Sequence, residues 1–304
     1  MTTAIVIGHG SIGQRHVRLL QQLGCEVAVV SRREINHTPR FETVGIALRS
    51  VKADYVVVAN ATSDHGPTVK QLIDNGYSGR LLVEKPLGGD YALVRHGAFS
   101  LAAVGYNLRF HPAMAALAEE LEGECLLAIQ VYCGQYLPDW RPGTDYRLSY
   151  SADPGQGGGV LRDLSHELDY LLWLGGIWRR VATLGGRFSS LEIRSDDCWA
   201  MLVELERCPV ASVQINYLDR PGRRQVIVNT ERHTYCADLI RATLTRDGAE
   251  QSFKLEPNEM YLAEHRAMLE GDASRLCSLQ EGERVMRLIA AAERSAMDDA
   301  WVYA

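Results

Sequence analysis

The sequence predicts a two-domain α/β protein, with a doubly wound parallel sheet over residues 1–112 and an α+β unit over 113–304 whose sheet is largely antiparallel and open. Short apolar runs alternate with amphipathic helices in the first third. Closely spaced strands joined by short turns take over afterwards. The length of 304 residues suits two domains at roughly 150 residues each.

Ala4 to Ile7 is an apolar run too short for a helix, and Gly8-His9-Gly10-Ser11-Ile12-Gly13 follows it. Ile12, His16, Leu19, Leu20 and Leu23 then recur at helical spacing, with Gly24 as the stop. Glu26–Val30 and Tyr55–Ala59 read as strands. Val69, Leu72 and Ile73 mark a helix ended by Gly76, and Leu81–Val83 and Ala102–Gly105 add further strands. This alternation implies crossovers and a parallel sheet.

Pro112 is placed like a first-turn proline, with Met114, Leu117 and Leu121 on one helical stripe. Leu126–Cys133 reads as a long strand. The stretch from Leu137 to Gly159 is a loop far longer than an ordinary connection, and such loops are often functional. Leu161–Leu174 reads as one continuous helix. Strands follow at Val181–Phe188, Trp199–Leu205, Val210–Tyr217, Gln225–Thr230 and Thr234–Leu239, with Asp247-Gly248 as a hairpin turn. Ser278-Leu279-Gln280-Glu281 has capping-box form ahead of a last helix carrying Val285, Leu288, Ile289 and Ala292.

Composition narrows the function classes. The net charge is −6 and no basic block occurs, so nucleic-acid binding has no electrostatic support. No apolar stretch reaches about 18 residues, and Met1 to Ile7 lack the basic start and apolar run of a signal peptide. The seven cysteines form no C-x-x-C pair, which suits buried thiols in a reducing cytoplasm rather than disulfides or a zinc knuckle.

The glycine loop lies between a predicted strand and a predicted helix, which gives it a mechanism. Gly8 permits the tight turn, Gly10 lets backbone approach a pyrophosphate, and Gly13 allows close packing of helix on strand. The amides of Ser11 and Ile12 then face the anion at the helix N-terminus. A site for NAD usually places Asp or Glu at the end of the second strand. Ser31-Arg32-Arg33 stands there instead, and a hydroxyl with two guanidinium groups suits the 2′-phosphate of NADP. Glu34 follows one residue later. Asn60, Thr62 and His65, beyond the strand ending at Ala59, fall where the ribose and diphosphate would lie.

Three further motifs, in this order after the glycine loop, resemble the Gfo/Idh/MocA family of glucose–fructose-oxidoreductase-like and inositol-dehydrogenase-like enzymes. They are Glu84-Lys85-Pro86 after a strand, Gly105-Tyr106-Asn107-Leu108-Arg109-Phe110-His111-Pro112, and Gly157-Gly158-Gly159 leading to Asp163, His166 and Asp169. The likeness runs over nearly the whole chain. It implies an N-terminal Rossmann domain, a C-terminal α+β domain whose open sheet makes a homodimer or homotetramer, and reversible oxidation of a ring hydroxyl on a sugar or cyclitol. Tyr136–Gly143, with Asp145-Tyr146-Arg147 and Leu161–Glu167, resembles a subgroup associated with surface-polysaccharide sugar biosynthesis. Two departures stand out. Asp163 and His166 have two residues between them where the family has three, and the stretches 32–54 and 87–102 are shorter than usual.

Oxidising a carbinol needs a base of near-neutral pKa within reach of the hydroxyl, which favours His166. On a continuous helix Asp163 or Asp169 would lie one turn away and hold the imidazole's tautomer. Lys85 can donate to the same oxygen and stabilise its developing charge. The resemblance places Lys85 against both substrate and nicotinamide, with Glu84 beside it. Asn107 and Arg109 are candidates for substrate hydroxyls or a phosphate, and Trp140 and Arg141 for stacking on a sugar or clamping an anion. A metal site is not expected, because Asp163, His166 and Asp169 on one helix converge poorly. The expectation is a cytoplasmic, NADP-preferring oxidoreductase acting on a sugar or sugar derivative. A non-catalytic NADP sensor would keep the glycine loop without needing Lys85, Asp163 and His166, and a methyltransferase would want an acidic residue at Ser31.

Overall fold

The computed structural model describes residues 2–88 and 97–304. The chain divides into one unit of residues 1–110 and 257–283 and another of 111–256 and 284–304. Residues 257–283 thus group with the N-terminal unit.

The N-terminal unit holds β1 (Thr3–Ile7), α1 (Ser11–Gln22), β2 (Glu26–Val30), β3 (Arg40–Phe41), α2 (Val44–Ser50), β4 (Tyr55–Val58), α3 (His65–Asp74), β5 (Arg80–Val83) and β6 (Leu101–Val104). The sheet order is β6-β5-β4-β1-β2-β3, all parallel. Strand order reverses between β1 and β4, the switch point at which such sheets bind ligands. Their runs TAIVI and YVVV are almost continuously apolar because both faces are covered. From further along the chain, α7 (Glu259–Glu270) and β15 (Cys277–Ser278) complete the unit, with β15 antiparallel to β6. Ala267, Met268 and Leu276 join Val6, Leu20, Val29 and Val57 in its core. The sequence pattern did not show α7, because buried Glu264 and His265 stand on its inner face where an apolar stripe would be read.

The second unit holds α4 (Pro112–Glu120), β7 (Leu126–Gly134), α5 (Val160–Asp163), α6 (His166–Gly175), β8 (Trp178–Gly186), β9 (Cys198–Leu205), β10 (Val210–Asn216), β11 (Arg223–Thr230), β12 (Thr234–Asp238), β13 (Thr243–Arg246), β14 (Ala249–Ser252) and β16 (Val302–Tyr303). Its nine strands run β14-β13-β12-β11-β7-β10-β9-β8-β16, antiparallel apart from β7 with β10. Alternate residues of β9 are buried, as a sheet covered on one face requires. Asp247-Gly248 turns β13 into β14 as expected. Helix α8 (Leu279–Asp298) starts from the capping box: Glu281 donates its amide to Ser278 Oγ at 3.2 Å and its carboxylate takes the Ser278 amide at 2.9 Å. Farther along α8, the Ala292 carbonyl accepts from Thr183 Oγ1 of β8 at 2.7 Å.

The expected continuous helix 161–174 is broken. Leu164 has ψ of 32°, which turns the chain, and α6 restarts at His166. Asp163 and His166 therefore flank a break, and the shared-helix-face argument does not hold.

Candidate functional site

In the N-terminal unit the glycine loop joins β1 to α1 at the switch point. Gly8 has a φ of +100°, and a Cβ there would sit 2.5 Å from the Ala59 carbonyl oxygen; at Gly13 it would sit 2.2 Å from that of Gly8. Only glycine fits either place. Around Gly10 the space is open, and no side chain caps the N-terminus of α1, so the amides of Ser11 and Ile12 and the helix dipole are left to an anion. Asn60, just past β4, donates to Thr68 Oγ1 at 2.8 Å, while its buried Oδ1 has no hydrogen-bond partner among the described residues. This cradle, with its orphaned acceptor beside Gly8, fits a dinucleotide.

Beyond β2, Arg32 and Arg33 are exposed. Ser31 Oγ instead accepts the Arg33 amide at 3.1 Å, and Arg40 donates to the Arg33 carbonyl at 2.7 Å. The hydroxyl thus shapes the turn that presents the arginines. Arg40, which the motif reading passed over, braces that turn. Thr62 opens a short turn before α3. The two ring nitrogens of His65 lie 3.1 Å from the Pro86 carbonyl and 3.2 Å from that of Asn60, so this wholly buried ring ties two loops together rather than facing outward. Burial holds its pKa below the usual value.

Glu84 also turns inward. Its Oε1 lies 2.8 Å from His16 Nε2 and its Oε2 accepts the Lys85 amide at 3.2 Å. Burial opposes its charge, yet the His16 hydrogen bond and the positive groups nearby hold its carboxyl below the usual range. Lys85 is half-buried at the carboxyl end of β5. Arg109 is 2 % exposed, and its guanidinium donates to Glu281 at 2.9 Å and to the Leu276 carbonyl at 3.3 Å. Asn107, at 3 % exposure, is buried as well.

In the second unit the Tyr217 hydroxyl donates to Asp163 Oδ2 at 2.6 Å, and both side chains are buried. Burial first, and then the Asp163 carboxylate, drive the Tyr217 and Tyr150 phenols far above the ordinary tyrosine value, so both stay protonated. Trp140 stands edge-on to Tyr217 with ring centroids 5.1 Å apart, and the Arg141 guanidinium lies over the Tyr150 ring at 5.3 Å. The Trp140 indole nitrogen is buried without a partner among the described residues. Trp140 thus packs beneath the long loop while keeping one donor to offer. A Cβ on Gly158 would fall 1.9 Å from the Tyr150 carbonyl oxygen, so the glycine run lets that loop close on α5. His166 is half-buried at the start of α6, and Asp169 is buried on the next turn. The long loop, Asp163 and Tyr217 thus share one neighbourhood. Sequence reading missed Tyr217 because it ends an apolar strand.

No protein-family model matches the chain, and no curated protein matches it. Solved structures do. GenD2 from gentamicin A biosynthesis, crystallised with NAD, is 23 % identical over 100 % of this chain and 96 % of its own, with a TM-score of 0.80. Levoglucosan dehydrogenase in complex with NADH and levoglucosan is 16 % identical over 99 % of each chain, with a TM-score of 0.84. UDP-N-acetylglucosamine 3-dehydrogenase GnnA from Acidithiobacillus ferrooxidans is 19 % identical over 97 % of this chain and 98 % of its own, with a TM-score of 0.77. The chain therefore shares the two-domain fold of these proteins, the architecture that its motifs imply.

Proposed function

We propose that the chain is an NAD(P)-dependent oxidoreductase of the Gfo/Idh/MocA family, acting on the hydroxyl or keto carbon of a sugar, cyclitol or nucleotide-linked sugar, with NADP preferred. One observation carries this reading: an uncapped helix N-terminus and an orphaned acceptor flank a glycine loop at the sheet's switch point, in a fold shared with GenD2 and levoglucosan dehydrogenase. A bound nicotinamide supplies the hydride acceptor or donor. The amides after Gly10 hold the diphosphate, Arg32 and Arg33 hold the 2′-phosphate, and Asn60 and Thr62 lie along the ribose side.

His166 takes the hydroxyl proton in oxidation and returns it in reduction. Asp163, kept in place by the Tyr217 hydroxyl, is the supporting carboxylate, and Asp169 is the other carboxylate of that segment. Lys85 donates to the reacting oxygen as negative charge develops there. Trp140 and Arg141 contact the sugar. Leu184 and Leu202, on neighbouring strands β8 and β9, are 72 % and 52 % exposed on one face, which supports a homodimer or homotetramer with a second copy covering them. Titration with NADP and NAD, followed by nicotinamide absorbance against free and nucleotide-linked sugars, tests the reading. Binding of neither dinucleotide refutes it; binding without turnover of any sugar favours a sensor.

A further inference from the structure

Four buried polar groups in the N-terminal unit form one chain. The Tyr55 hydroxyl lies 3.0 Å from His265 Nδ1, His265 Nε2 lies 2.9 Å from His16 Nδ1, and His16 Nε2 lies 2.8 Å from Glu84 Oε1. They come from β4, α7, α1 and the turn after β5. Tyr55, His265 and His16 are fully buried, and Glu84 is 8 % exposed. The second Glu84 oxygen takes the Lys85 amide. The chain therefore ends on the backbone from which the Lys85 side chain departs.

The proton order follows from the partners. An ionised carboxylate only accepts, so His16 Nε2 carries a hydrogen, and in the neutral ring its Nδ1 is then an acceptor. His265 then donates through Nε2 and accepts at Nδ1, from the Tyr55 O–H. With both rings neutral, each polar hydrogen has one acceptor. Burial holds His265 well below its usual pKa and keeps the Tyr55 phenol protonated. Apolar residues of the same volume would stabilise the core as well or better. What the chain adds is direction: it fixes the rotamer of Glu84, which the end of β6 also crowds, since a Cβ on Gly105 would lie 3.4 Å from Glu84 Oε1.

We propose that His16, His265 and Tyr55 are positioning residues for Lys85, forming a one-way hydrogen-bond chain that fixes the Glu84 carboxylate and, through it, the backbone of Lys85. The kinetic part rests on the reading of Lys85 as the polarising donor, whereas the proton order does not.

The first test is nitrogen NMR of the full chain labelled at histidine. His16 and His265 are expected to show the Nε2–H tautomer, and His265, which burial holds well below its usual pKa, is expected not to titrate between about pH 5.5 and 8. Either ring in the Nδ1–H form overturns the proposal. The second compares His16→Leu with His16→Gln, whose amide can accept from His265 and donate to Glu84. His16→Leu should speed exchange of the Lys85 amide and lower kcat by roughly tenfold or more, with KM and dinucleotide Kd within about threefold, and His16→Gln should restore both. Unchanged exchange in folded His16→Leu overturns the proposal. Faster exchange with full turnover overturns the positioning role alone if Lys85→Ala is inactive; if Lys85→Ala is active, the role of Lys85 falls too. Should His16→Leu not fold, Tyr55→Phe removes only the terminal donor. His16 still accepts from His265 there, so His265 should keep the Nε2–H form, and an Nδ1–H form overturns the chain.

Discussion

Removing one oxygen atom tests the second unit's cluster. In Tyr217→Phe the ring is retained, so its edge-on packing with Trp140 at 5.1 Å survives and the change isolates the hydroxyl. That hydroxyl donates over 2.6 Å to a buried carboxylate. A hydrogen bond to a charged group contributes about 1.5–3 kcal/mol, and leaving part of a buried carboxylate unsatisfied keeps the loss near the upper end. The expected destabilisation is about 2–3 kcal/mol, which for a unit of this size lowers Tm by roughly 5–10 °C. Calorimetry of the wild type, Tyr217→Phe, Asp163→Asn and the double variant closes a cycle whose coupling energy should exceed about 1.5 kcal/mol. Turnover on any sugar found to react should fall in both single variants and little further in the double. A Tyr217→Phe protein within about 0.5 kcal/mol of wild type, or a cycle with no coupling, refutes the claim that this contact holds Asp163 in place.

Lys85→Ala and His166→Ala should each lower single-turnover hydride transfer by roughly a hundredfold or more while dinucleotide binding persists; near-wild-type rates remove the assigned role. Arg32→Ala and Arg33→Ala should each weaken NADP by about tenfold, near 1.4 kcal/mol, and leave NAD unchanged in calorimetric titration. Acid should destabilise the fold through its buried histidines. Burial pushes the His111 imidazole down to about 4, and its Nδ1 accepts the Ala113 amide at 3.2 Å only while that nitrogen is unprotonated. The unfolded chain protonates near 6.5, so this contribution is complete above that pH and falls by about 3 kcal/mol on acidification to pH 4. His65 and His265 act in the same direction. Tm measured from pH 7.5 to 4 should drop, with a smaller drop in His111→Asn, and a flat profile contradicts the linkage.

What the sequence discloses depends on how local the determinant is. The glycine loop is readable because Gly8 and Gly13 answer to neighbours a few residues away or to the adjacent strand end, and the Ser278–Glu281 cap closes within four residues. The strands of the first sheet are readable because burial on both faces leaves YVVV no alternative. The break at Leu164 is not, because its residues are ordinary helix formers and the turn is imposed from outside the segment. The Arg109 ion pair is hidden for the same reason: its partner, Glu281, arrives from a distant part of the chain that also supplies the cap of α8.

The structure separates polar residues that serve the fold from those that await something. Arg109 has Glu281, Arg224 has Glu167 at 2.7 Å, and Glu84 has His16; these three buried charges are matched within the chain, as an isolated one would be prohibitive. Asn60 Oδ1 and the Trp140 indole nitrogen are different, since both are buried without a partner among the described residues, at a cost of about 1–3 kcal/mol each when left unmet. One sits beside the glycine loop, the other on the long loop beside Tyr217. The Asn60 amide nitrogen holds Thr68, but neither orphaned atom finds a hydrogen-bond partner among the described residues. An acceptor at the nucleotide end and a donor in the Asp163–Tyr217 neighbourhood are what a dinucleotide and a polyhydroxylated substrate respectively require. If that is their purpose, Asn60→Leu should weaken NAD(P) binding, and Trp140→Phe should raise KM for the sugar while leaving dinucleotide Kd unchanged. Unchanged affinity for both ligands in the folded variants would make the two atoms mere packing defects.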